Sequence, residues 1–152
     1  MTQLSEHFTF EELTFSQIAL RTGVGNDPSA NYLIMANLKR LCETLLEPAR
    51  TILAVPVHID SGYRSTSINR LVGGASNSAH IDGRAADIIP IGIPVVDAFH
   101  ILRAHSDLSW DQAILEAGAW VHLAIAPEGQ EPRREALLAQ GGPGRWTYQV
   151  LA

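Results

Sequence analysis

The sequence predicts an α+β fold: a small, mostly antiparallel sheet with helices packed on one side and the other face left open. Three observations predict it. Residues 28–54 set Leu33, Leu38, Leu41, Leu45, Ala49, Ile52 and Leu53 at a spacing near 3.6, the period of a helix with one buried face. Residues 55–60 and 84–89 alternate and carry β-branched side chains, the pattern of half-buried strands. Residues 110–116 and 120–126 look like two more strands, separated by the three residues Ala117-Gly118-Ala119, the length of a hairpin loop.

In chain order, Thr9-Phe-Glu-Glu12 has the form of a capping box and opens a short helix. Ser16 to Thr22 forms a second, stopped at Gly23, with Phe8, Phe10, Leu13 and Phe15 as core or staple contacts. Pro48 interrupts the long helical run and predicts a kink or break, because proline lacks the N–H that the ladder needs. A helical turn is expected near Ser67 to Leu71, then an open loop over Gly73 to Ser78. In the strand that ends at Pro90, Ala85, Asp87 and Ile89 face one side and Ala86 and Ile88 the other. Pro94 starts a helix to about His105 with Val95, Ala98, Phe99 and Leu102 as its apolar stripe. The hairpin loop sets Glu116 opposite Trp120 and Ile114 opposite His122, so Gln112, Ile114, Glu116, Trp120 and His122 share a face. Two last edge strands, about 135–138 and 146–151, flank the loop Gly141 to Gly144.

A chain of 152 residues fits one domain, residues 1–152, with room for a real core. Eleven basic against sixteen acidic residues leave a net charge of −5, which argues against a nucleic-acid partner. Cys42 is the one cysteine, so no internal disulfide forms and thiolate ligation of a metal is excluded; it reads as a small buried apolar residue. The first residues lack a basic segment followed by an apolar run, so synthesis in the cytoplasm without a signal peptide is expected, and no run is long enough for membrane insertion. A monomer is expected.

The chemistry concentrates in residues 61–87 and 120–122. Two imidazoles and a carboxylate, His80, His122 and Asp87, suit a divalent metal. Such groups are ordinary Zn²⁺ ligands, and a catalytic zinc keeps three of them and one open position. His80 and Asp87 are seven apart and share no helix face; they fit a loop ligand and a strand ligand, with Gly83 turning the chain between them. The same pair also reads as a surface histidine and a capping aspartate. Glu116 falls on the metal face of the hairpin as a candidate general base, against a solvated hairpin residue. Arg64 follows a strand and is always protonated, so it can pair with a carbonyl or carboxylate, or simply form a surface ion pair. Trp120 reads as a cleft wall or as a core residue. Asp82 and Arg84 are expected to stay solvated, and His7 is a weak ligand candidate.

The string Ser61-Gly-Tyr-Arg-Ser65, then Asn69, Val72-Gly73-Gly74, Ser78-x-His80-x-x-Gly83-x-Ala85-x-Asp87 and Trp120-x-His122 resembles the zinc D-alanyl-D-alanine carboxypeptidase and phage endolysin peptidase family. The likeness runs over roughly residues 4 to 126, including the opening Leu4-Ser-x-His-Phe-Thr-x-x-Glu-Leu13. It implies a hedgehog/DD-peptidase-like fold, with zinc ligands at His80, Asp87 and His122. It also implies Arg64 beside the metal and Ser78 hydrogen-bonded to substrate. One departure matters: many relatives carry the acidic base three residues before the last histidine, where this chain has Ala119. Glu116, six before, matches the spacing in relatives closer to hedgehog proteins. The expected function is hydrolysis of peptide bonds in peptidoglycan stem peptides, as a carboxypeptidase or endopeptidase. The expected setting is phage or prophage lysis, reached through a lysis partner or as part of a phage particle. The alternative is a non-catalytic, zinc-stabilised wall-binding or phage structural module.

Overall fold

A computed structural model describes residues 1–152. The elements follow the order α1 (Phe10–Thr14), α2 (Gln17–Thr22), α3 (Tyr32–Leu41), α4 (Glu47–Leu53), β1 (Val57–Ser61), α5 (Thr66–Leu71), β2 (Ala85–Pro90), α6 (Val95–Ala104), β3 (Gln112–Glu116), β4 (Trp120–Ala124), β5 (Glu135–Gln140) and β6 (Thr147–Leu151). The architecture is the expected α+β one, a six-stranded sheet in the order β1-β2-β4-β3-β5-β6. No helix is long and apolar enough to cross a membrane.

The capping box closes as read: Glu12 N–H donates to Thr9 Oγ1 at 3.2 Å and Thr9 N–H to Glu12 Oε2 at 2.9 Å. Between α3 and α4 the chain stays helical through a π-helical segment, Cys42–Leu46, in place of a kink or break at Pro48. The cause lies in Pro48 itself. It has no N–H to give the Thr44 carbonyl, and its ring would press on that group. The ladder widens one step upstream instead, Glu47 N–H reaching Cys42 C=O five residues back. Leu38, Leu41, Leu45 and Ala49 are buried, whereas Leu33, expected on the same stripe, is exposed, as is Phe15.

One face of the sheet carries the core. Ala86, Ile88, Ala113, Leu115, Val121 and Leu123 pack there against α3, α4 and against Ala98, Phe99 and Leu102 of α6. The hairpin register is the predicted one, Glu116 opposite Trp120 and Ile114 opposite His122. β2 continues the row on the other side, pairing Asp87 with His122. The tail differs from the expectation of two edge strands. β5 lies inside the sheet, parallel to β3, and of the two tail strands β6 alone is an edge. Leu137 and Ala139 of β5 thereby join Ile114 in a small apolar cluster on the open face, with Trp146 packed against it.

Candidate metal centre

Three segments bring the metal-type side chains together. β2 and β4 are hydrogen-bonded neighbours, so the pairing of Asp87 with His122 sets both on the open face. His80 arrives from the loop after α5, where Gly83, at φ +73°, turns the chain back into β2. His80 Nε2 lies 3.2 Å from His122 Nδ1 and 3.3 Å from Asp87 Oδ1, and His122 Nδ1 lies 3.0 Å from Asp87 Oδ1. All three residues are buried.

This triangle fits zinc. Bonds of about 2.0–2.1 Å at tetrahedral angles put neighbouring ligand atoms roughly 3.3 Å apart, close to the edges observed. The tautomer fits too. His80 Nδ1–H donates to the Gly62 carbonyl at 2.7 Å, so the lone pair of Nε2 is the one turned inward. Burial disfavours charge on His80 and pushes its pKa down, the state a ligand needs. For Asp87 burial acts the other way, but positive charge on the imidazoles, or a cation held between them, outweighs it and holds the carboxyl below the usual range.

The remaining candidates surround a cleft of about 550 Å³. Glu116 Oε1 stands 3.9 Å from His122 Nδ1, and its Oε2 accepts the Trp120 Nε1–H at 2.8 Å. Burial, then the charge of Asp87, push the Glu116 carboxyl above the ordinary range. Arg64 follows a bulge in β1, and its backbone N–H donates to the His80 carbonyl at 3.1 Å. Burial lowers the Arg64 pKa, while Asp87 and Glu116 favour its charge; its Nε is buried without a partner. Ser78 lines the cleft, and its hydroxyl accepts the His80 N–H at 3.2 Å. Trp120 is half-buried on the cleft, edge-to-face with Trp146 at 6.3 Å between ring centroids.

Two side readings are corrected. Arg84 is not solvated: its Nη1 donates to the Ile125 carbonyl at 2.9 Å and its Nη2 to Asp82 Oδ2 at 3.1 Å, while Asp82 is exposed as expected. His7 is spoken for by Glu47, which takes its ring Nδ1–H at 2.8 Å and backbone N–H at 2.6 Å.

Other participants had no role readable from sequence spacing. Gly62 orients His80 through a backbone carbonyl, and a Cβ there would collide with the Leu13 carbonyl of α1. Trp146, Tyr148, Asp111 and Arg133 line the cleft from regions that sequence spacing does not connect to the motif. Across the cleft Gly73, at φ +73°, abuts Pro143 and Gly144, so the loops after α5 and β5 touch.

A family model described as Peptidase M15 matches residues 6–124. No curated protein matches the chain. The matched residues contain the three ligand candidates, Arg64, Glu116 and Trp120, and end before β5 and β6.

Proposed function

The chain belongs to the Peptidase M15 family, and from that premise we propose that it cleaves peptidoglycan stem peptides during phage or prophage cell-wall lysis. Family membership and the buried His-Asp-His group together make it a zinc metallopeptidase. The finer reading is a carboxypeptidase or endopeptidase carried to the wall by a lysis partner or within a phage particle.

His80, Asp87 and His122 would hold the metal through Nε2, Oδ1 and Nδ1. When bound, zinc supplies Lewis-acid polarisation of the scissile carbonyl and a lowered pKa for the attacking water. Glu116 serves as general base through Oε1, taking a proton from that water and passing it to the leaving amine nitrogen. Burial and the charge of Asp87 raise its pKa, the direction that favours taking and holding that proton before it is passed on. Arg64 pairs with the carbonyl oxygen as charge develops there, or with a substrate carboxylate. The Ser78 hydroxyl, already accepting from His80 N–H, has its own hydrogen to donate to substrate. Trp120 walls the cleft.

The observation that carries this reading is the convergence of two imidazole nitrogens and a carboxylate oxygen within 3.0–3.3 Å, with a second, non-ligating carboxylate beside them. The test is release of soluble muropeptides from purified sacculi by zinc-loaded protein, with and without chelator, read by mass spectrometry. Chelator-sensitive release of stem peptides supports the peptidase and names the bond. Zinc-loaded protein that binds sacculi and releases nothing would leave the wall-binding module instead.

A further inference from the structure

Glu116 has to meet two demands that pull against each other. It must stand beside the metal ligands to move a proton, yet it must not swing in as a ligand itself. One contact restrains it. The Trp120 indole N–H donates to Oε2 at 2.8 Å, which leaves Oε1 on the side of His122 Nδ1. The backbone makes this contact easy, because Glu116 and Trp120 face each other directly across the hairpin. The indole is in turn held by Trp146, which meets it at 82° between ring planes. Trp146 lies beyond residues 6–124, just before β6, and packs on Ile114, Leu137 and Ala139. A strand pair outside the family match thus buttresses a residue inside it.

We propose that Trp120 is a positioning residue for Glu116, fixing one carboxylate oxygen so that the other faces the converging ligand atoms, with Trp146 bracing the indole. The assignment rests on the peptidase reading, in which Glu116 is the base. It differs from a wall-forming Trp120 in what should happen when only the N–H is removed.

Trp120→Phe keeps an aromatic wall and loses the donor. Turnover should fall roughly 10–100-fold, the rate equivalent of a hydrogen bond to a charged group. KM and zinc content should stay near wild type. Because both residues act through one carboxylate, Trp120→Phe combined with Glu116→Gln should be no slower than Glu116→Gln alone. Trp146→Leu should give a smaller loss of the same kind. A Trp120→Phe enzyme with unchanged kcat, a change confined to KM, or losses that multiply in the double variant would each overturn the proposal.

A second readout needs no turnover. The three tryptophans give three indole N–H signals in a ¹H–¹⁵N spectrum, and Trp120→Phe identifies the one that matters. That signal should lie downfield and exchange slowly in the wild type. It should move upfield and exchange faster in Glu116→Ala. A Trp120 signal indifferent to Glu116→Ala would overturn the contact even if sacculi are cleaved. If the signal behaves as expected but zinc-loaded wild type cleaves nothing, the contact stands and the peptidase reading, with the catalytic use of the contact, falls.

Discussion

Two aspartates line the same cleft, both buried, and they have opposite chemical situations. Asp111, 3% exposed, is closed: Arg133 gives its Oδ1 a backbone N–H at 2.7 Å and its Oδ2 two guanidinium donors at 3.0 and 2.8 Å. Asp87, 6% exposed, is open: Oδ1 faces two imidazole nitrogens, neither of which is a fixed donor. Their pKa directions agree and mislead, since both carboxyls are held low. What separates them is whether the protein completes the carboxylate itself. A group completed by arginine is structural, whereas one surrounded by lone pairs waits for a cation.

The largest expected effect tests the open end. His122→Ala should lose zinc and peptidase turnover together, because two protein ligands rarely hold the ion, and chelation of the wild type should lower its Tm measurably. Metal analysis and a melting curve decide it; retained zinc at wild-type occupancy would remove His122 from the ligand set. Next in size is Glu116→Gln, which should keep one zinc per chain and the fold while turnover drops about 10²–10⁴-fold. Full activity in that variant would hand the base to another residue. Arg64→Lys should lose about 10–100-fold in turnover, because lysine keeps the charge without the forked donors. Near-wild-type rates would reduce Arg64 to a steering charge.

The smallest effect on activity belongs to the closed end. Asp111→Asn should leave zinc content and turnover alone but cost about 1–2 kcal/mol in a denaturant titration at neutral pH. Its pH course has a sign. Asp111 is ionised more readily folded than unfolded, so its contribution is present above the unfolded carboxylate pKa of about 3.9 and is lost as pH falls through the folded value. Wild type and variant should therefore converge in strong acid. A constant gap across that range would show that the charge is not what Asp111 contributes.

Much of the open end was legible because its geometry is local. A three-residue loop fixes the hairpin register, and the register puts Glu116 and His122 on one face. The period of two then assigns Asp87 to that face once β2 pairs with β4. The unread parts depend on contacts between distant segments. The parallel placement of β5 beside β3 follows from burying Leu137 and Ala139, which no loop length announces. Arg84 looks solvated by type, yet a carbonyl 41 residues away takes one of its donors. Trp146 reaches the site only because β5 is interior and β6 follows it. The π-helical segment was foreshadowed by Pro48, but its resolution needed the apolar stripe to stay buried on both sides of the defect.

Gly62 joins the first helix to the candidate metal ligands through a single peptide unit. Its carbonyl sets the His80 ring, its Cα hydrogen is all that fits beside Leu13, and the next N–H, of Tyr63, donates to the Leu13 carbonyl at 2.7 Å. Affinity for the ion is therefore a gauge of how well the amino-terminal segment is docked. A chelator titration would sense loosening of residues 10–14 long before the rest of the molecule unfolds.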